Sequence, residues 1–353
     1  MNLEEKKQAL LEVGQFFESC ILHHRSEAIL QESNKLKKQV ERGAELIETV
    51  HHENGWFTPD SVKAVFKAWS KSLTPEKISK WLDPYSSKNT NSKIVGVIMA
   101  GNIPLVGLHD ALCVLLTDHH LKAKISSKDK ALMSLVLETL AIISPEWAAK
   151  IEVTDQLKDI DYLIATGSDN SSRYFEYYFR DVKKILRKNR TSVAILDGNE
   201  SEEDLKNLSH DVFMHFGLGC RNVTKLYLPK GFDLNRLFKA FFHYKEIVNN
   251  NKYANNYDYN KAVYLLNKIE LVENGFLLLK EDEDLHSPVG VLFYEFYDKL
   301  SAVEEKLIDH AESIQAAVGS YDESKLIPFG KAQQPELWDY ADGKDTLSFL
   351  MDK

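Results

Sequence analysis

The chain has 353 residues, 44% of them hydrophobic and 27% charged. That balance excludes wholesale disorder, and at about 100–200 residues per domain the length implies two domains. With 53 Asp and Glu against 44 Lys and Arg, the net charge of −9 excludes the basic footprint of a nucleic-acid binder. The three cysteines, Cys20, Cys113 and Cys220, are too few and too scattered for a disulfide framework or a four-thiolate zinc site. The opening Met-Asn-Leu-Glu-Glu-Lys-Lys lacks the apolar run of a secretory signal. The longest apolar stretch, 94–108, contains Asn102 and Pro104 and falls short of the about 20 residues a membrane span needs. A cytoplasmic protein with no membrane span is expected.

Residues 1–90 read as a helical region. Leu10, Val13, Phe17, Cys20 and Ile21 recur at helical spacing. Thr58-Pro59-Asp60 and Thr74-Pro75-Glu76 each place a capping hydroxyl before a first-turn proline. Trp69 and Trp81 belong to the core of these helices. The polar stretch 85–93 reads as a linker. The period then changes. Ile94–Ile98 is a buried-type strand, followed by a Gly-Asn-Ile-Pro turn and an apolar helix over 104–117. Leu121–Ile125 predicts the next strand, and Ser126-Ser127 the cap of a helix running to Ile143. Tyr162–Ala165 predicts a third strand and Ser192–Leu196 a fourth. Strands alternating with helices argue a doubly wound parallel sheet. Ser201 with Asp204 opens a further helix with a capping-box pattern, its inner face formed by Leu205, Leu208, Val212 and Phe216. Strands near Lys225–Leu228, Phe276–Leu279 and Val289–Phe296 continue a second α/β block to about Gly319.

Chemistry concentrates at a few positions. Cys220 lies between Gly217 and Gly219 on one side and Arg221 and Asn222 on the other. A nucleophilic thiolate needs open backbone and a positive field, which Arg221 could supply. On residue type alone a buried structural role is the commoner fate of a cysteine, and Cys20 and Cys113 fit it. Asn102 sits in a turn at the carboxyl end of a strand, where open α/β sheets bind ligands, and its amide could donate to an oxyanion. An asparagine is equally at home there because it tolerates tight turns. Thr166-Gly167-Ser168 offers small residues at a helix start, suited to a phosphate. Half of the twelve histidines form adjacent pairs that do not share a helix face, and there is no H-E-x-x-H, so no metal is expected. The runs Lys183 to Arg190 and Glu281-Asp-Glu-Asp284 read as solvated surface.

Taken in order, Val95-Gly-Val-Ile-Met-Ala-Gly-Asn102-Ile-Pro104, Lys124-Ile-Ser-Ser127, Thr166-Gly-Ser168 and Gly219-Cys220-Arg221 resemble the aldehyde dehydrogenase superfamily. Phe216-Gly-Leu-Gly-Cys-Arg-Asn-Val-Thr-Lys-Leu-Tyr-Leu-Pro229 and the tail Ile327–Gly343 resemble, more narrowly, the LuxC-type acyl-CoA reductases. The resemblance runs from about residue 90 to the end. It implies an α/β, aldehyde-dehydrogenase-like fold of two doubly wound domains: a cofactor-binding domain over 91–197, rejoined by 320–353, and a catalytic domain over 198–319. The helical region 1–90 would pack on the cofactor domain.

The resemblance also implies roles. Cys220 would attack an acyl thioester, and Asn102 with the Cys220 backbone N–H would form the oxyanion hole. Lys124 would hold the adenosine ribose, Gly167 and Ser168 the pyrophosphate, and Asp284 the nicotinamide ribose. Ser127 followed by Lys128 replaces the acid that NAD-preferring relatives place at the ribose 2′-hydroxyl, which suits NADPH. The superfamily's general-base glutamate has no evident counterpart, since Asp197-Gly198-Asn199-Glu200 lies closer to Cys220 in sequence than the usual pattern. Oxidation to an acid needs such a base; reduction of an acyl-CoA or acyl-carrier substrate to an aldehyde does not. The other readings are an oxidative aldehyde dehydrogenase and a non-catalytic partner of an acyltransferase complex. An acyltransferase or acyl-protein synthetase partner fits the family. Homo-oligomerisation is usual in the superfamily, although no oligomerisation hairpin is evident.

Overall fold

A computed structural model describes residues 1–23, 35–85, 91–167, 169–321 and 326–352. The chain forms two compact units, Met1–Lys188 with Glu336–Lys353, and Asn189–Pro335.

The first unit opens with helices Leu3–His23, Lys37–Thr49, Pro59–Ser72 and Pro75–Leu82. Thr58 and Thr74 cap the latter two as expected, accepting from the N–H groups of Ser61 and Lys77 with proline in the first turn. Leu10, Val13, Phe17 and Cys20 enter one apolar cluster with Leu112, Leu115 and Leu135 from helices Leu108–Leu116 and Lys130–Ile143. Trp81 is fully inside, its indole N–H donating to the Tyr340 hydroxyl at 2.9 Å, while Trp69 is half-buried. Most of the 85–93 linker, residues 86–90, lies outside the described residues.

The sheet of this unit contains β1 (Ile94–Ile98), β2 (His120–Lys124), β3 (Ile151–Val153), β4 (Tyr162–Thr166) and β5 (Lys183–Arg187), in the order β3-β2-β1-β4-β5. All pairings are parallel. The chain winds outward from β1 to β3, then crosses to β4 and β5. The switch in direction therefore falls beside β1, where open α/β sheets form a ligand crevice. Ile98, Lys124 and Ala165 are level across the three central strands.

Three expectations change here. The charged run from Lys183 is not solvated surface but the edge strand β5, with Ile185 and Arg187 buried. Arg187 tolerates burial because Asp110 grips its guanidinium with two hydrogen bonds, one at 2.8 Å, and Thr346 accepts a third at 3.0 Å. The strand at 192–196 belongs to the other sheet, so the break falls after Lys188 rather than at 197. The return of the chain to the first unit starts at Glu336 rather than 320. The intervening residues stay with the second unit because Ile327 bridges Val318 and the Gly330 and Ala332 N–H groups bind Asp211.

The second unit holds β6 (Thr191–Ile195), β7 (Val223–Pro229), β8 (Val272–Glu273), β9 (Leu278–Glu281), β10 (Val291–Tyr297) and β11 (Ile314–Val318), ordered β11-β6-β7-β10-β9-β8. Only β8 with β9 is antiparallel among the described strands. Both faces are covered. Ala194, Leu226, Leu228 and Leu292 pack against Leu205, Leu208 and Val212 of helix Glu202–Phe213, and Val193, Ile195 and Tyr227 against Val303 of helix Leu300–Asp309. The predicted capping box of Ser201 and Asp204 is present. Among the described residues no helix is long and apolar enough to cross a membrane.

Removing one partner of a buried ion pair strands the other charge, at about 3–5 kcal/mol. Asp110→Ala is expected to cost that much in urea unfolding, and Asp110→Leu with Arg187→Met to regain most of it. Equal stability of Asp110→Ala and the parent would show the pair to be energetically idle.

Candidate active site

Of the three cysteines, Cys20 and Cys113 are buried and Cys220 is exposed. Burial pushes the Cys113 thiol well up, as it does that of Cys20, so neither is a ready thiolate.

Cys220 occupies the second position of a four-residue turn closed by the Asn222 N–H donating to the Gly219 carbonyl at 3.0 Å. The Asn222 side chain closes it a second time, its Oδ1 accepting from the Gly219 N–H at 2.8 Å. Its Nδ2 reaches back to the carbonyls of Asp211, Val212 and Met214 at 3.0, 3.2 and 2.8 Å. Asp211 and Val212 belong to the last turn of helix Glu202–Phe213, whose carbonyls have no partner within the helix, and Met214 is the residue that follows it. The Ser192 hydroxyl at the start of β6 donates to the Cys220 carbonyl at 3.0 Å. A thiol at the tip of a turn fastened from three sides is exposed without being loose.

The approach to this turn is strained. His215, Phe216 and Gly217 are successively left-handed, with φ of 52°, 60° and 76°, a conformation costing about 1–2 kcal/mol for each non-glycine residue. The expected helical face through Phe216 therefore ends at Phe213. Burial pushes the His215 imidazole down to about 4, so it is neutral at pH 7 and adds no positive field. The Arg221 guanidinium donates to the Ala332 carbonyl at 3.5 Å, toward the 327–335 segment. That segment is held by the buried Asp211 carboxylate, which accepts from the Gly330 and Ala332 N–H groups at 2.6 and 3.0 Å. Burial pushes Asp211 up to about 6 against the pull of those two donors.

Asp284 is exposed between β9 and β10, on a segment tied to β7. Thr224 donates to the Leu285 carbonyl at 2.6 Å, and the buried Lys225 ammonium donates to the Asp282 carbonyl. Since Thr224 is the second residue of β7, which starts directly after the Cys220 turn, Asp284 and Cys220 are brought to the same end of the second sheet. The Asp197–Glu200 segment is not. Ser192 is level with Val223 and Ile195 with Tyr227, so this segment follows the opposite ends of the strands, roughly 16 Å along at 3.3 Å per residue. The Glu200 carboxylate, raised by burial, is engaged by the Asp197 and Gly198 N–H groups.

In the first unit Asn102, Lys124, Ser127 and Gly167 follow or end β1, β2 and β4, all at the carboxyl edge of one sheet. Asn102, Lys124 and Ser127 are exposed and Gly167 is half-buried. Ser168 lies outside the described residues. The Gly167 N–H donates to the Arg187 carbonyl at 3.3 Å. The exposed polar groups following β2 are Lys124, Ser127 and Lys128, whereas the next acid, Asp129, is turned inward at 2% exposure. A dinucleotide phosphate would meet cations and a hydroxyl there, with no carboxylate of this turn facing it, so the donor set fits that cofactor.

No protein-family model and no curated protein matches the sequence. Solved structures match the fold. An aldehyde dehydrogenase of Mycobacterium tuberculosis complexed with NAD+ is 16% identical, with TM-score 0.61 over 92% of this chain and 75% of its own. An NADP-dependent enzyme of E. coli is 13% identical, with TM-score 0.64 over 94% and 76%. Aldehyde dehydrogenase C of Pseudomonas syringae, complexed with NAD+ and octanal, is 12% identical, with TM-score 0.63 over 91% and 73%. The chain therefore has the aldehyde dehydrogenase fold.

Asn222 was not singled out by its residue type or spacing; a polar residue directly ahead of a buried strand and just past a glycine-terminated helix was the available signal. Titration of the native protein with a thiol reagent is expected to find one fast thiol, lost in Cys220→Ser, and three after denaturation. Fast labelling retained in Cys220→Ser would contradict the exposed position of this residue.

Proposed function

We propose that the protein reduces a fatty acyl thioester, acyl-CoA or a similar acyl carrier, to the aldehyde with NADPH, through a covalent acyl intermediate on Cys220. The supporting observation is the exposed thiol of Cys220 at the tip of a clamped turn on an aldehyde dehydrogenase fold. The Cys220 thiolate attacks the thioester carbonyl, and Asn102 donates its amide to the oxyanion that forms. The carbon–sulfur bond to CoA then breaks and CoA leaves as a thiolate, which leaves the acyl group on Cys220. A dinucleotide bound here would supply a hydride to the acyl carbon; the bond to Cys220 then breaks, returning the thiolate and releasing the aldehyde. Lys124 would hold the adenosine ribose, Gly167 and Ser168 the pyrophosphate, Asp284 the nicotinamide ribose, and Ser127 with Lys128 the 2′-phosphate.

The position of Asp197 and Glu200 favours the reductive direction. Hydrolysis of the acyl-enzyme to an acid would require a carboxylate beside Cys220 to activate water, and these two stand at the other end of the strands. Association with an acyltransferase or acyl-protein synthetase, and with further copies of the chain, belongs to the same reading.

The test is NADPH consumption against a series of acyl-CoA and acyl-carrier chain lengths. Turnover is expected for the parent and none for Cys220→Ala, with NADPH affinity unchanged. Ser127→Glu is expected to raise the KM for NADPH about tenfold, equivalent to roughly 1.4 kcal/mol of charge repulsion, with little effect on NADH. NAD-linked oxidation of aldehydes to acids without CoA, in place of thioester reduction, would overturn the proposal.

A further inference from the structure

Asn102 lies in a turn that is fastened on both sides to the loop following β2. On one side the Gly101 backbone approaches Ser126 so closely that an added Cβ would stand 2.6 Å from its Oγ. On the other, the Leu105 N–H donates to the Asp129 carboxyl at 2.8 Å. Leu105 is buried and left-handed, with φ of 58°, a conformation that leucine does not adopt without being held. The loop that does the holding is itself anchored, since the Asn54 amide donates to the Lys128 carbonyl at 3.1 Å.

Asp129 is an unusual choice for a purely structural position. It is 2% exposed, and its second oxygen, Oδ1, is buried without a hydrogen-bond partner. A buried polar atom left unpaired costs free energy, so the carboxyl is retained at a disadvantage that only its bond to Leu105 offsets. Burial pushes Asp129 up to about 8, with the Leu105 N–H pulling the other way, which makes the uncharged carboxyl the resident form at pH 7. An asparagine reproduces that uncharged acceptor.

We infer that Asp129 is a positioning residue for Asn102: through the Leu105 N–H it fixes the turn that aims the Asn102 amide, and it does so from the loop that carries Ser127 and Lys128. The donor of the oxyanion and the contacts to the cofactor's ribose phosphate are thereby built on one rigid pair of loops. The inference rests on the proposed role of Asn102.

The test is a double-mutant cycle in the full chain with Asp129→Ala, Asp129→Asn, Gly101→Ala and Asn102→Ala. Turnover, KM for acyl-CoA, NADPH affinity by fluorescence quenching and thermal midpoint are read for each. Asp129→Ala is expected to lower kcat about ten- to a hundredfold, the scale of a misaligned donor, and to leave KM and NADPH affinity within about threefold. Asp129→Asn is expected to recover most of the loss. In an Asn102→Ala background Asp129→Ala is expected to cost almost nothing further, because the group it positions is gone. Should Asp129→Ala fail to fold, Gly101→Ala, which disturbs the other fastening and crowds Lys128 as well, is expected to lower kcat with the same dependence on Asn102, whatever its effect on NADPH affinity. Full additivity with Asn102→Ala, or a lowered thermal midpoint with unchanged kcat, would overturn the inference. A parent protein that does not reduce acyl thioesters would instead refute the proposed function, a result separate from the cycle.

Discussion

The second unit depends on the carboxamide of Asn222. Its Oδ1 closes the Cys220 turn on the Gly219 N–H, and its Nδ2 satisfies three carbonyls where helix Glu202–Phe213 ends. One side chain thus does two things that would otherwise conflict. It ends a helix abruptly enough to admit three left-handed residues, and it returns the chain to β7 with the thiol at the tip of a turn. Each of these carbonyls and N–H groups would cost about 1–3 kcal/mol if buried unpaired. The exposure of Cys220 therefore follows from the saturation of Asn222, and strain in the His215–Gly217 segment is sustained by it.

The same economy appears in the first unit. Parallel strands bring the residues that follow β1, β2 and β4 to one edge without any of them being near in sequence. Side chains from neighbouring loops then set where those residues point: Asp129 holds Leu105, and Ser126 meets Gly101. The buried Arg187–Asp110 pair joins the edge strand β5 to helix Leu108–Leu116, and Thr346 adds the C-terminal segment to it. Asn102, Lys124 and Ser127 are exposed, whereas Asp129 and Leu105 are buried.

Much of this was legible in the residues. The threonine caps with their first-turn prolines, the Ser201 capping box and the alternation of short β-branched runs with apolar helices all have local causes, and local causes are visible in a sequence. Cys220 was visible for the same reason, through its flanking glycines. What escaped depended on distance. Asn222 reaches back across eight to eleven residues, and Asp129 across 24 to Leu105. Arg187 lay within a run of charges that reads as solvent-facing unless its partner Asp110, 77 residues away, is known; the alternation around Ile185 was the one local sign. The break between the units was missed because β5 and β6 are separated by only Lys188, Asn189 and Arg190, too few residues to carry the composition of a linker.

The central claim concerns one sulfur and one bond. Intact-mass measurement of the protein mixed with a long-chain acyl-CoA, without any nicotinamide cofactor, reads that bond directly. The account predicts a single added acyl group, mapped by peptide fragmentation to Cys220 and discharged as aldehyde when NADPH is supplied. An unmodified protein, or an adduct that persists after Cys220→Ser, would contradict it.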